Sequence, residues 1–135
     1  MKVSASIDNT IHVHQVTVET NDARKQITIA SKSDGFGSSI NGAELLLLSI
    51  ATCFCNDIYR EAQKRKIVIQ GVNVVATGEF GAEGEPGTNF QYKTEVKSTA
   101  SDIEIAELIK HVDAIAEIHK TLRNGIDVKL VEQTL

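Results

Sequence analysis

The two cysteines, Cys53 and Cys55, are the residues of this chain most suited to covalent chemistry. A cysteine thiolate is both a nucleophile and a metal ligand. A free cysteine in an apolar segment, however, is more often a small, unreactive hydrophobic core residue. Because residues two apart point to nearly opposite sides of a helix, we expect no disulfide between these two. The cysteines alone therefore leave a nucleophilic and a structural interpretation open.

A carboxylate, Glu44, stands nine residues before the first cysteine and three residues after Asn41. This spacing is typical of a capping box, in which the two side chains close the first turn of a helix. A catalytic carboxylate is the alternative interpretation of Glu44.

A histidine pair, His12 and His14, is spaced by two residues in a segment that alternates like a strand. Such a pair shares one strand face and could contribute two ligands to a metal. No further ligand follows at a recognisable spacing, because His111 and His119 lie far along the chain. We therefore expect a solvated strand face and no bound metal.

These residues must be positioned by a mixture of strands and helices, which the hydrophobic periodicity separates. Alternation predicts strands at Ile11 to Val18, Lys25 to Ala30, Ile67 to Glu79, Asn89 to Ser98 and Ile126 to Val131. Helical spacing predicts helices from Ala43 to about Lys66 and from Ile103 to about Arg123. The order β-β-α-β-β-α-β predicts an α+β fold with an antiparallel sheet, in one domain over residues 1–135.

The first predicted helix is unusual because its N-terminal half, Leu45 to Phe54, is apolar on all sides. Such a helix is normally buried all around. A chain of 135 residues offers few surfaces to cover it. A second copy of the chain would supply them, so we expect an intertwined homodimer.

Composition excludes several classes of function. Fourteen basic and 18 acidic residues give a net charge of −4, which disfavours a nucleic-acid binder. The longest apolar run, Leu45 to Cys55, is shorter than the ~20 residues of a membrane span. The N-terminal residues MKVSASIDNT lack the apolar core of a secretion signal. We therefore expect a cytoplasmic protein without a membrane partner.

A stretch around Cys53, Asn41 to Phe54 (NGAELLLLSIATCF), resembles the central-helix motif of the OsmC/Ohr family of osmotically inducible and organic-hydroperoxide-resistance proteins. Later segments agree with the family in order and spacing. They are Lys64 to Ile67, the strand carrying Val72, Val74 and Gly78-Glu79, Thr121 to Arg123, and Ile126 to Val128. The resemblance covers nearly the whole chain.

The resemblance implies an interwoven homodimer in which the long central helices are buried between two sheets. It also implies reduction of organic hydroperoxides by cysteine, without a cofactor. One thiolate attacks the peroxide and becomes a sulfenic acid, and a second cysteine then closes a disulfide that a dithiol reduces. The first cysteine of this scheme corresponds to Cys53.

The chain departs from the family pattern at the remaining active-site positions. Ala116 stands where the second cysteine is expected, and Ala43 stands where the hydroperoxide-reducing branch has its carboxylate. Glu44 is next to that position but points about 100° away on a helix. That branch also uses an N-terminal arginine, and Arg24 is the only arginine before the central helix.

Three hypotheses follow. The first is a thiol redox protein in which Cys53 reacts with an organic hydroperoxide and a small external thiol completes the cycle. The second is a non-enzymatic module that binds a small apolar ligand, with Cys53 as a core residue. The third is a metal-binding module built on His12 and His14.

Overall fold

The computed structural model describes residues 1–131 and has mixed α+β structure with three helices and two sheets. The chain divides into two compact units, Met1–Leu45 and Leu46–Leu135. The expectation of a single domain stays a prediction.

The N-terminal unit contains a three-stranded antiparallel sheet with the order β1-β2-β3. Its strands are β1 (Val3–Thr10), β2 (Val13–Thr20) and β3 (Ala23–Ile27). The predicted hairpin of β2 and β3 is confirmed, and Asn21 makes its turn at a positive φ of 51°. Strand β1 was not predicted. It is short of large apolar residues, and it becomes a strand through its pairing with β2, from Val3 opposite Thr20 to Thr10 opposite Val13.

The second unit contains most of helix α1 (Gly42–Lys64), which starts at the boundary between the units. The capping box predicted at its start is confirmed. The backbone N–H of Glu44 donates to the Asn41 side chain at 2.8 Å, and the Asn41 N–H donates to the Glu44 carboxylate at 2.8 Å. Helix α1 is long and apolar enough to cross a membrane. The core helix of a soluble protein can have the same length and composition, so this is weak evidence for a membrane span.

The antiparallel hairpin of β4 (Ile69–Glu79) and β5 (Thr88–Ser98) follows α1. The predicted loop between them is confirmed. Next comes helix α2 (Asp102–Ile115), whose predicted cap at Ser101 is a complete capping box with Glu104. Phe54, Ile58 and Ala62 of α1 pack with Leu108 and Val112 of α2 in a core cluster to which β4 and β5 add partly buried apolar residues.

The last predicted helix, Ile103 to about Arg123, is divided in the structure. Ala116 has φ −56° and ψ 119°, which ends α2, and a short helix α3 (Glu117–Arg123) begins directly after it. Alanine is the best helix former, so the residue type gives no sign of the break. The apolar spacing also continues across it. The predicted helix end at Asn124-Gly125 is confirmed, with Gly125 at φ 70°.

The predicted last strand, Ile126 to Val131, is wrong for the described structure. These residues lie outside any strand, and Val128 and Leu130 are 85% and 82% exposed. A strand needs a neighbouring backbone to accept and donate its hydrogen bonds, and within residues 1–131 this segment has no paired strand.

Candidate functional site

Cys53 lies on the face of α1 that meets the start of α3. Both cysteines are free thiols and both are half-buried. The Cys53 Sγ lies 3.8 Å from Oδ2 of Asp57, one turn further along α1. The backbone N–H groups of Glu117 and Ile118 approach the same sulfur from α3. They are free to do so because the first N–H groups of a helix have no partner within it, and the break at Ala116 creates this helix start.

The pKa of Cys53 is raised above the ordinary thiol value. Burial is the largest cause, and the negative charges of Asp57 and Glu117 add to it. The N–H groups of Ile118 and Glu117 act in the opposite direction but do not cancel the effect. At neutral pH the Cys53 thiol is therefore largely protonated, which is the reverse of an activated cysteine.

Arg60 is the cation nearest to Cys53 along α1, and it forms salt bridges with carboxylates. It pairs with Asp57 at 2.8 Å and with Glu61 at 3.0 Å, and both carboxylates are buried. Lys64 lies 2.7 Å from Glu61. The bonds from Lys64, Arg60 and His111 lower the pKa of Glu61 to about 2, so it stays ionised at neutral pH. Burial raises the pKa of Asp57, and Arg60 opposes this.

Glu44 and Arg24, the other two candidates, have partners of their own. Glu44 forms the capping box with Asn41. Arg24 pairs with Glu19 across the β2–β3 hairpin at 3.1 Å, with 73% of its side chain exposed. The groups that shift the Cys53 pKa all belong to the second unit. A catalytic role for Glu44 or Arg24 stays a prediction.

The expected histidine pair does not share a strand face. His12 lies in the turn between β1 and β2 with φ 59°, and only His14 is on β2. The tight hairpin takes His12 out of the alternating strand pattern. His14 Nδ1 is 3.0 Å from the side-chain nitrogen of Asn9.

Among residues 1–131 one group of side chains could hold a metal ion, and it includes Cys53. One ligand atom each from Cys53, Asp57 and Glu117 lies within 4.8 Å of the others. A closed zinc site normally has four protein ligands, and here Asp57 is already paired with Arg60. The expectation that no metal binds stays a prediction.

Sequence reasoning did not identify Asp57 and Glu117. Asp57 could have been found, because residues four apart lie on the same helix face. Glu117 had no such signal, since it reaches Cys53 only through the break at Ala116.

The comparisons with known proteins agree with this fold. The model of the OsmC-like protein family matches residues 35–131, so the chain belongs to the OsmC family. Among curated protein sequences, none matches.

Solved structures of low sequence identity share the fold. The organic hydroperoxide resistance protein OsmC of Legionella pneumophila is 18% identical, with 96% of this chain and 94% of that chain covered and a TM-score of 0.58. The organic hydroperoxide resistance protein OhrB of Bacillus subtilis is also 18% identical, with 96% of each chain covered and a TM-score of 0.55. A protein proposed to act in organic hydroperoxide resistance in Vibrio cholerae, with captopril bound in one of its active sites, is 20% identical, with 94% of this chain and 88% of that chain covered and a TM-score of 0.59.

The raised pKa of Cys53 predicts how the rate of its alkylation depends on pH. In a Cys55→Ala background, the rate of Cys53 alkylation by iodoacetamide should keep rising with pH beyond the ordinary thiol range, because only the thiolate reacts. Glu117→Gln should move the profile to lower pH by removing a negative charge. Glu107→Gln, an exposed carboxylate change on α2, is the matched control. If Glu117→Gln does not change the pH dependence of the alkylation rate, the Glu117 charge does not raise the pKa of Cys53.

Proposed function

We propose that this protein is a slow, thiol-dependent peroxidase in which Cys53 attacks organic hydroperoxides and an external thiol regenerates it. The observation that carries the proposal is the position of the Cys53 sulfur. It is half-buried, free, and held between Asp57 of α1 and the first N–H groups of α3. Membership of the OsmC family and the names of the similar structures support the same chemistry.

The reaction balances without a cofactor. The Cys53 sulfur donates an electron pair to the terminal peroxide oxygen, the O–O bond breaks, and the hydroperoxide leaves as an alcohol that takes up a proton. Cys53 becomes a sulfenic acid. A first external thiol condenses with the sulfenic acid to a mixed disulfide and releases water, and a second thiol displaces Cys53 and leaves as a disulfide.

Asp57 is suited to accept the thiol proton. Its carboxylate contacts the Cys53 Sγ, and burial raises the pKa of Asp57 towards values at which a carboxylate is a better base. The same negative charge disfavours a standing thiolate. The expected enzyme therefore reacts slowly at neutral pH and faster as the pH rises.

Peroxide consumption tests the proposal directly. With cumene hydroperoxide and excess dithiothreitol, the Cys53→Ser variant should lose the protein-dependent rate, because a serine hydroxyl is not oxidised by peroxide. Cys55→Ala is the matched control and should keep it, since Cys55 faces a different, shallow surface beside Thr52 and Val74. Equal rates of peroxide consumption in the wild type and in Cys53→Ser would refute the proposed peroxidase activity.

A non-enzymatic ligand-binding module is the second candidate. The raised pKa of Cys53 favours it, and so does a cavity of about 380 Å³ bounded by α1, β5 and α3. If Cys53→Ser consumes peroxide as fast as the wild type, the peroxidase proposal fails and ligand binding is the remaining candidate function.

The proposed active form is a homodimer. Leu48 in the apolar half of α1 is 57% exposed in the single chain, and Val3 and Ile7 of β1 are 67% and 59% exposed. Exposed apolar surfaces of this kind are typical of an interface. Cytoplasmic localisation stays a prediction.

Sedimentation at micromolar concentration should give the mass of two chains. Leu48→Asp should shift the equilibrium towards the monomer, because a charge would be buried in the interface. Ile103→Asp, at a site that is 73% exposed on α2, is the control. A wild-type monomer at this concentration would contradict the homodimer.

A further inference from the structure

Cys53, Asp57 and Arg60 follow one another along one face of α1. Their spacings of four and three residues place consecutive side chains one helical turn apart. The Cys53 Sγ lies 3.8 Å from Oδ2 of Asp57, and the Arg60 guanidinium lies 2.8 Å from Oδ1 of the same carboxylate. The two oxygens of Asp57 are therefore divided between the thiol and the arginine.

Arg60 is also held by a second carboxylate. Its Nε donates to Oε1 of Glu61 at 3.0 Å, and Glu61 is only 5% exposed. Lys64 at 2.7 Å and His111 of α2 at 3.2 Å contact the same carboxylate. These bonds fix the Glu61 side chain. The Arg60 guanidinium is therefore positioned by two buried carboxylates, although 43% of its side chain is exposed.

Asp57 needs a cation beside it to stay ionised. It is 4% exposed, and a buried carboxylate without a cation takes up a proton rather than keeping its charge. Glu61 from α1 and Glu117 from α3 add negative charge around it, and Arg60 is the cation that opposes them. His119 of α3 is near enough for its own pKa to respond to Asp57. Without Arg60, Asp57 would keep its own proton to a higher pH and would accept the thiol proton less readily.

We propose that Arg60 is a positioning residue of the peroxidase, which keeps Asp57 ionised with Oδ2 directed at the Cys53 sulfur. This role rests on the proposed function, because it concerns the proton of the Cys53 thiol. As the sulfur attacks the terminal peroxide oxygen, the S–H proton passes to Oδ2 of Asp57, the S–O bond forms and the O–O bond breaks. Asp57 then gives the proton to the departing alkoxide, which leaves as the alcohol, and the carboxylate is regenerated.

Single-turnover oxidation of Cys53 in a Cys55→Ala background tests this role. One equivalent of cumene hydroperoxide is added at a series of pH values from 5 to 8, and mass spectrometry follows the sulfenic acid trapped with dimedone. Arg60→Gln should slow the oxidation about fivefold at pH 6 and move its rise to higher pH, which is part of the ~10²–10⁴-fold that a positioned base contributes. Arg60→Lys should keep most of the rate, because it keeps the charge. Arg65→Gln, the same substitution at an exposed residue just beyond α1, is the control and should leave the pH profile unchanged.

A double variant separates this role from a loss of folding. Removing one partner of a buried ion pair destabilises a protein strongly, whereas removing both charges costs less. If Arg60 acts through Asp57, Arg60→Gln should not slow the oxidation further in an Asp57→Asn background. An unchanged pH profile in Arg60→Gln, or the same loss of rate in the presence and absence of the Asp57 carboxylate, would overturn the proposal.

An NMR titration of the Asp57 carboxyl carbon needs no peroxide. The resonance should titrate at higher pH in Arg60→Gln than in the wild type, and coincident titrations would overturn the proposal. A Cys53-dependent oxidation that does not depend on Arg60 would refute this role and leave the peroxidase intact. Equal peroxide consumption by the wild type and Cys53→Ser would refute both.

Discussion

Replacing Ala116 with cysteine should raise peroxide turnover at least about tenfold when the external thiol is scarce, because a nearby thiol acts at a very high effective concentration. Ala116 directly precedes the two residues whose N–H groups approach the Cys53 sulfur. A thiol there can condense with the Cys53 sulfenic acid to form a disulfide and release water. It also protects the sulfenic acid from over-oxidation.

The measurement compares variants in a Cys55→Ala background. Turnover is followed at low dithiothreitol, and mass spectrometry detects the intrachain disulfide after one equivalent of peroxide. Ala82→Cys, in the exposed β4–β5 loop, adds a thiol away from Cys53 and is the control. Ala116 is fully buried, so the added sulfur should cost about 1–3 kcal/mol of stability. A folded Ala116→Cys variant with neither a disulfide nor a faster rate would show that residues 53 and 116 do not meet.

Truncation of Phe54 should produce the largest loss of stability among single core changes. Phe54 is fully buried in the cluster formed by α1, α2 and the β4–β5 hairpin, and its ring packs against Tyr92 at 4.9 Å and His119 at 5.8 Å. Phe54→Ala removes this contact surface and leaves a cavity, which costs about 3–5 kcal/mol. That is a large part of the ~5–15 kcal/mol of a typical domain.

Denaturant unfolding at a fixed protein concentration measures this loss, since association also contributes to stability. Ile103→Ala, at a site that is 73% exposed, should change the free energy of unfolding by no more than about 0.5 kcal/mol. A loss below about 1 kcal/mol in Phe54→Ala would mean that the core relaxes around the missing ring.

The features predicted correctly from the sequence are those governed by residues close together in the chain. Asn41 and Glu44 form the cap of α1, Ser101 and Glu104 form the cap of α2, and Asn21 makes the β2–β3 turn. A capping box or a tight turn depends on three or four neighbouring residues, so it can be recognised from the sequence alone. The same holds for the family motif around Cys53, which the family match confirms.

The environment of Cys53 was decided by tertiary structure. The break at Ala116 has no local signal, yet it directs the N–H groups of Glu117 and Ile118 to the sulfur and brings the Glu117 charge close. Whether Cys53 is acidified or left protonated depends on burial, on the charge of Asp57 one helical turn away, and on the charge of Glu117, 64 residues away in the chain. The pattern of residue types therefore identified the cysteine but not its pKa.

The strands and His119 show the same division. Strand β1 exists because β2 pairs with it, and Ile126 to Val131 alternates like a strand but has no paired backbone within the described residues. In the sequence His119 is one of two histidines far from the other candidates, and only the packing of α3 against Phe54 and Tyr92 buries its ring, with neither nitrogen bonded within residues 1–131. Local propensity is set by a residue and its near neighbours, whereas strand pairing, desolvation and charge proximity arise only when distant segments meet.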